Sequence, residues 1–173
     1  MATAHCLERT ARYSGLVVTV DHERVRLPDG QEITLEIIRH PGGAAAVALD
    51  QDRNVCLLRQ YRHVAGGWLW ELPAGKREPG ETGLSIAQRE LQEEGGVVAA
   101  HWQPLGSLHS SPGVFAEIVE LFLATELTHV ATAHEPGELI EVHWMPLAAS
   151  LDACDRGEIT DAKTLIGLYR APR

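Results

Sequence analysis

Four glutamates are the side chains with the most chemistry within reach of one another. Glu81 stands alone, and Glu90, Glu93 and Glu94 fall within Arg89-Glu90-Leu91-Gln92-Glu93-Glu94. On a helix, Glu90 is three residues from Glu93 and four from Glu94, so the carboxylates share one side. A run of this kind taken alone usually faces water and does nothing more. Two unit charges about 4 Å apart repel by about 1 kcal/mol in bulk water and about 4 near a protein surface. A divalent cation among them converts that repulsion into attraction. Oxygen donors with no His or Cys beside them suit a hard ion, Mg2+ first and Mn2+ second.

Such a cluster needs a helix under it, and the pattern predicts one from about Thr82 to Glu94. Leu84, Ala87 and Leu91 recur at i, i+3 and i+7 as a core-facing stripe, and Gly95-Gly96 ends the helix. Before it, "GLVVTVDHERVRLPDGQEITLEIIRH" alternates as two or three strands turning at "PDGQ". The apolar runs "AAAVALD" and "NVCLLRQYR" flank "QDRN" and predict a hairpin. "WLWELPAG" predicts a further strand. Its Trp68 and Trp70 are expected in the core with at most one turned to a ligand, and Trp144 is expected in the core too. Strand signals return around residues 97–109, 115–125 and 138–145, and "LAASLDACDRG" and "DAKTLIGLYRA" predict two short closing helices. The pattern is mixed α/β (α+β): a strand region over residues 1–40, then one domain over 41–173.

Composition excludes several classes of function. The 173 residues carry a net charge of -9 with no basic run, which argues against nucleic-acid or anionic-membrane binding as the main role. The three cysteines lie far apart and form no CxxC pair, and the nine histidines show no metal-binding spacing. No signal-peptide core or membrane span is evident, so a soluble cytoplasmic chain is expected. An acidic protein that handles an anionic ligand needs local cations, either placed Arg and Lys or bound metal.

The full stretch fits a stricter pattern. Gly75, five residues, Glu81, seven residues, then Arg89-Glu90-Leu91-Gln92-Glu93-Glu94-Gly95-Gly96-Val97 resembles the Nudix box. A chance match in a chain this long is roughly one in ten million. The resemblance implies a Nudix fold, a mixed β-sheet sandwiched between helices, in which the box is a loop-helix-loop holding divalent metal against a diphosphate. It implies Glu90, Glu93 and Glu94 as metal ligands, joined by the carbonyl of Ala74. Glu90 and Glu93 carry over as catalytic, and Gly75, Glu81, Arg89 and Gly96 as residues that build the box.

Flanking segments resemble the ADP-ribose pyrophosphatase subgroup. These are "ELPAGK" before the box, "SSPGVFAE" with Pro112 fifteen residues past Val97, "LLRQYR", and the ending "GEITDAKTLIGLYR". The resemblance implies Arg62, Glu71, Pro112 and Glu117 as substrate-binding residues. It also implies a loop glutamate acting on the attacking water, Glu138, with Glu135 in reserve. The expected reaction is Mg2+-dependent hydrolysis of ADP-ribose to AMP and ribose 5-phosphate. GDP-mannose and other nucleoside diphosphate sugars are the competing substrates. A nucleotide-sensing module without catalysis usually lacks a box glutamate, and none is missing here. Residues 1–40 resemble the exchanged arm of the subgroup's homodimers.

Overall fold

The computed structural model describes residues 3–172. In chain order the elements are β1 (His5–Ser14), β2 (Thr19–Arg26), β3 (Glu32–Arg39), β4 (Gly43–Ala48), β5 (Asn54–Arg62), β6 (Gly67–Glu71) and β7 (Ala74–Lys76). There follow α1 (Gly83–Glu93), β8 (Val97–His109), β9 (Phe115–Ala116), β10 (Ile118–His129), β11 (Ile140–Pro146), α2 (Leu147–Asp155) and α3 (Ala162–Arg170). The chain divides into two compact units. Of the described residues, one comprises 3–42 and 109–118, and the other 43–108 and 119–172. Among the described residues no helix is long and apolar enough to cross a membrane.

The first unit is a four-stranded sheet in the order β1-β2-β3-β9. β2 pairs antiparallel with both β1 and β3, and Gly30, at φ 90°, closes the turn that "PDGQ" predicts. β1 is an edge strand with exposed side chains along nearly its whole length. Asp21 and Glu23 are buried on β2 beneath Arg9 and Arg39, both of which ion-pair with them.

The second unit contains a four-stranded sheet, β7-β4-β10-β8, and a three-stranded sheet, β11-β5-β6. β4 is buried on both faces, and its period of two divides the core. Ala44, Ala46 and Ala48 pack with Ile86, Ala87 and Leu91 of α1. Ala45, Val47 and Leu49 pack with Leu147, Ala153 and Leu168 of α2 and α3. The sheet is thus sandwiched between helices, as the fold class expected. Each fully buried Leu or Ile contributes about 1.5–3 kcal/mol. Gly167 brings α3 close, since a Cβ there would lie 2.6 Å from Leu72 Cδ1 and 3.1 Å from Val47 Cγ2.

Four expectations are corrected. "QDRN" does not close a hairpin: one isolated bridge, Leu49 to Val55, joins the two runs before β4 and β5 diverge into different sheets. The core stripe of α1 runs through Ile86, because Leu84 is 37% exposed. The strand expected at 115–125 is interrupted, β9 pairing with β3 and β10 with β4. Trp68 is 43% exposed, so it is no core residue. Trp68 and Trp70, two apart on β6, share a face, and the Arg59 guanidinium lies 5.9 Å from each ring. Trp70 and Trp144 do pack against the core.

Candidate active site

The helix that carries the acids begins with a reciprocal cap. The Thr82 hydroxyl accepts from the Ser85 N–H at 3.1 Å, and the Ser85 hydroxyl accepts from the Thr82 N–H at 2.9 Å. Removing such a cap costs about 1 kcal/mol. At the other end Gly96 turns the chain at φ 64°, a conformation costly for residues with a Cβ.

Arg89 organises the acids. Its Nε and Nη2 donate to the two Glu81 carboxylate oxygens at 2.9 and 3.2 Å. Its Nη1 donates to Glu90 at 2.6 Å and to Glu93 at 3.3 Å. Glu81 also accepts the Glu78 N–H at 2.9 Å, so the loop before the helix is tied to the helix through one guanidinium. The Glu90 carboxylate lies directly over Gly75. A Cβ at position 75 would fall inside that carboxylate, so the leading glycine of the box is a steric requirement.

Glu94 is the most deeply placed of the box glutamates, 4% exposed, and its carboxylate accepts the Ala74 N–H at 2.8 Å. Burial pushes its carboxyl up to about 8. The Ala74 hydrogen bond opposes this, and the charges of Glu90 and Glu138 add to it. Glu90 is also raised, by burial first and then by Glu93 and Glu138, against the pull of Arg89. The Cys56 thiol beside this cluster is buried and pushed up to about 12, by burial and by the Glu94 charge.

The loop after β10 is laced to the C-terminal end of α1. Ala133 N–H donates to Glu93 O at 2.8 Å, Val130 N–H to Gly96 O at 2.8 Å, and the His134 ring contacts Glu94 O at 3.1 Å. Glu135 and Glu138 face each other across the turn that follows, with the Glu135 N–H donating to Glu138 Oε2 at 2.8 Å. Their surroundings differ. Glu138 is half-buried and its charge acts on Glu90 and Glu94, whereas Glu135 is exposed and acts on Lys76.

Arg62, at the end of β5, donates through Nε and Nη2 to the two oxygens of Glu71 at 2.8 and 3.0 Å. Lys163 of α3 donates to the same carboxylate at 2.5 Å. Pro112 and Glu117 lie in the other unit. Pro112 is exposed in a turn closed by Val114 and Phe115 N–H groups donating to Ser111 O at 3.2 and 2.9 Å, and Glu117 stands 3.1 Å from His40 Nδ1.

The model of the NUDIX domain matches residues 39–165. The chain belongs to the NUDIX family. It is 37% identical over 159 residues to the ADP-ribose pyrophosphatase of Mycobacterium tuberculosis, covering 90% of this chain and 77% of that one. It is 36% identical to the ADP-ribose pyrophosphatase of Bacillus subtilis over 154 residues, 88% of this chain and 83% of the relative. A solved structure described as an ADP compounds hydrolase superposes with TM-score 0.82 at 21% identity, covering 98% of this chain and 92% of that one. That likeness establishes the Nudix fold.

Nudix hydrolases generally use divalent metal ions, and the donor set here fits one. Glu90 and Glu94 are crowded carboxylates whose charged forms are disfavoured as they stand. A hard cation relieves that cost. Among the described residues no three His, Cys, Asp or Glu groups already converge on one point. Glu90 is turned to Arg89 and Glu94 to the Ala74 N–H.

Residues absent from the sequence expectations also tie these elements together. Lys163 joins α3 to Glu71, and Arg77 and Glu120 pair beside α1 at 2.6 Å. Lys163 sits within "GEITDAKTLIGLYR", so its segment was visible although its partner was not.

Proposed function

We propose that this chain hydrolyses ADP-ribose: water attacks one phosphorus of the diphosphate, the P–O bond to the bridging oxygen breaks, and AMP and ribose 5-phosphate leave. The observation that carries the reading is identity of 36–37% to two ADP-ribose pyrophosphatases over most of the chain, with every box glutamate in place.

Mg2+ is the ion this reading assigns, with Mn2+ able to replace it, held by Glu90, Glu93, Glu94 and the Ala74 carbonyl. Such an ion, when bound, neutralises diphosphate charge and lowers the pKa of bound water. The remaining steps belong to the protein. Glu138 accepts the proton of the attacking water, which its half-buried place and its coupling to Glu90 and Glu94 favour over Glu135. Glu90 and Glu93, catalytic by the resemblance, would act through the ion that they would hold. Arg62 offers its guanidinium to the phosphates. Both oxygens of Glu71 are taken by Arg62 and Lys163, so Glu71 serves binding by orienting those two cations. Pro112 and Glu117 are assigned to substrate binding by the resemblance alone. Residues 1–40 act as the arm of a homodimer, a role consistent with the exposed edge strand β1.

A substrate panel in Mg2+ tests the assignment. The expected result is a higher kcat/KM for ADP-ribose than for GDP-mannose, other ADP-sugars, NADH or diadenosine polyphosphates. Turnover of GDP-mannose about tenfold more efficient than that of ADP-ribose would replace the substrate while leaving the reaction class intact.

A further inference from the structure

Glu120 lies outside the box, on β10, and makes one ion pair. The Arg77 Nη2 donates to its Oε1 at 2.6 Å, while the Arg77 Nη1 donates to the main-chain carbonyl of Glu81 at 2.7 Å. One guanidinium therefore joins the central sheet to the loop that enters α1. On the far side of that loop residue, the Glu81 carboxylate takes two donors from Arg89, whose remaining Nη1 reaches Glu90 and Glu93. The chain of contacts runs Glu120, Arg77, Glu81, Arg89, Glu90.

The sheet register explains why Glu120 is suited to anchor it. Glu120 pairs with Ala44, and Ala44 pairs with Gly75, so the three form one lateral row across β10, β4 and β7. Residues in such a row project to the same face, here the face that α1 covers. At one end of the row the Glu90 carboxylate fills the space above Gly75. At the other the Glu120 carboxylate fills the space beside Gly83, the first residue of α1, where a Cβ would collide with it. Two glutamates thus bracket the helix, one from the helix onto the sheet and one from the sheet onto the helix.

We propose that Glu120 and Arg77 are positioning residues that set the place of α1 on the sheet and, through Glu81 and Arg89, the orientation of the metal-binding carboxylates. A partly exposed ion pair contributes little to stability, and these side chains are 39% and 32% exposed. The effect lies in geometry. Substitutions behind metal ligands typically reduce metal affinity 10–100-fold.

This inference rests on the metal-site reading above, and the experiment keeps the two apart. Mn2+ is titrated into the wild type, Glu120→Ala, Arg77→Ala, the double variant and Glu120→Gln, with free Mn2+ followed by electron paramagnetic resonance. Hydrogen exchange of the amides of residues 81–86 is measured on the same proteins in chelator. The expected result is Mn2+ affinity about tenfold lower in both alanine variants. The double variant should be no worse than either single one, and Glu120→Gln, which keeps an acceptor, should lie near the wild type. Melting temperatures should agree closely throughout, and exchange at residues 81–86 should quicken in the alanine variants. Wild-type affinity in both alanine variants overturns the proposal. If the wild type itself binds no Mn2+, the metal reading fails, and exchange decides the positioning role: faster exchange sustains it and unchanged exchange ends it.

Discussion

Glu71, 2% exposed, receives Arg62 through two hydrogen bonds and Lys163 through a third, so one buried carboxylate ties the end of β5 to α3. Burial alone would raise its carboxyl, but Arg62 and Lys163 outweigh burial and hold it below 4.5. A depressed folded-state value stabilises the fold above the unfolded pKa, and that stability is lost as pH falls through the folded value. Wild-type stability should therefore decline below about pH 4.5 more steeply than that of Glu71→Gln. At neutral pH, Glu71→Ala should cost about 1–3 kcal/mol, because it removes the acceptor of three charged hydrogen bonds while Lys163 keeps Asp161 at 3.0 Å. Urea melts across pH 3–7 would check both expectations.

Glu94 behaves in the opposite sense. Its folded value is raised to about 8 from 4.5, so its favourable contribution is complete below the unfolded value and is lost as pH rises toward 8. Metal-free wild type should lose stability across that window and level off above it. Glu94→Gln keeps an acceptor for the Ala74 N–H, so it should show a flatter profile and be no less stable in chelator at high pH. The same substitution should lower both Mn2+ affinity and activity. Thermal melts with and without chelator separate the two effects.

Glu138→Gln should leave folding and substrate binding nearly unchanged while kcat falls by about 10²–10⁴-fold, or about 3–5 kcal/mol in the barrier. Glu135→Gln should have a small effect. Steady-state kinetics at saturating Mg2+ would check the pair, and a larger loss at Glu135 would transfer the role of base to it.

Light scattering at micromolar concentration should report a homodimer, and removal of residues 1–17 should weaken it. That deletion takes away all of β1, the exposed edge of its sheet. A fully active monomer would dismiss the arm.

The acidic helix was legible because its evidence is local: caps, period and carboxylate spacing all lie within residues 75–97. The sandwich of helices about a mixed sheet was legible from the order of strand and helix signals. Leu84 misled because apolar character alone cannot say which side of a helix the sheet takes; Ile86 took it. β1 was not set apart within the 1–40 strand region because "HCLERTARYS" mixes charges with few apolar residues, as an exposed edge strand does. Arg77 and Glu120 were invisible because their pairing depends on the register of β10 against β4, and Lys163 because its partner lies on β6. Side chains far apart in sequence carry no spacing to read.

The two-faced strand β4 also bears on the order in which the molecule assembles. Its antiparallel neighbour β7 arrives after one excursion of the chain, but its parallel neighbour β10 arrives only after α1 and β8 have been made. Closing the longer loop carries the larger entropic cost, and sheets built from distant segments form slowly. The alanines that seat α1 face one side of β4, so the helix can dock as soon as β4 and β7 meet. Glu120 reaches Gly83 only with the later strand. Refolding would therefore assemble the acids first and lock their register last, so a competent site would lag behind a formed helix.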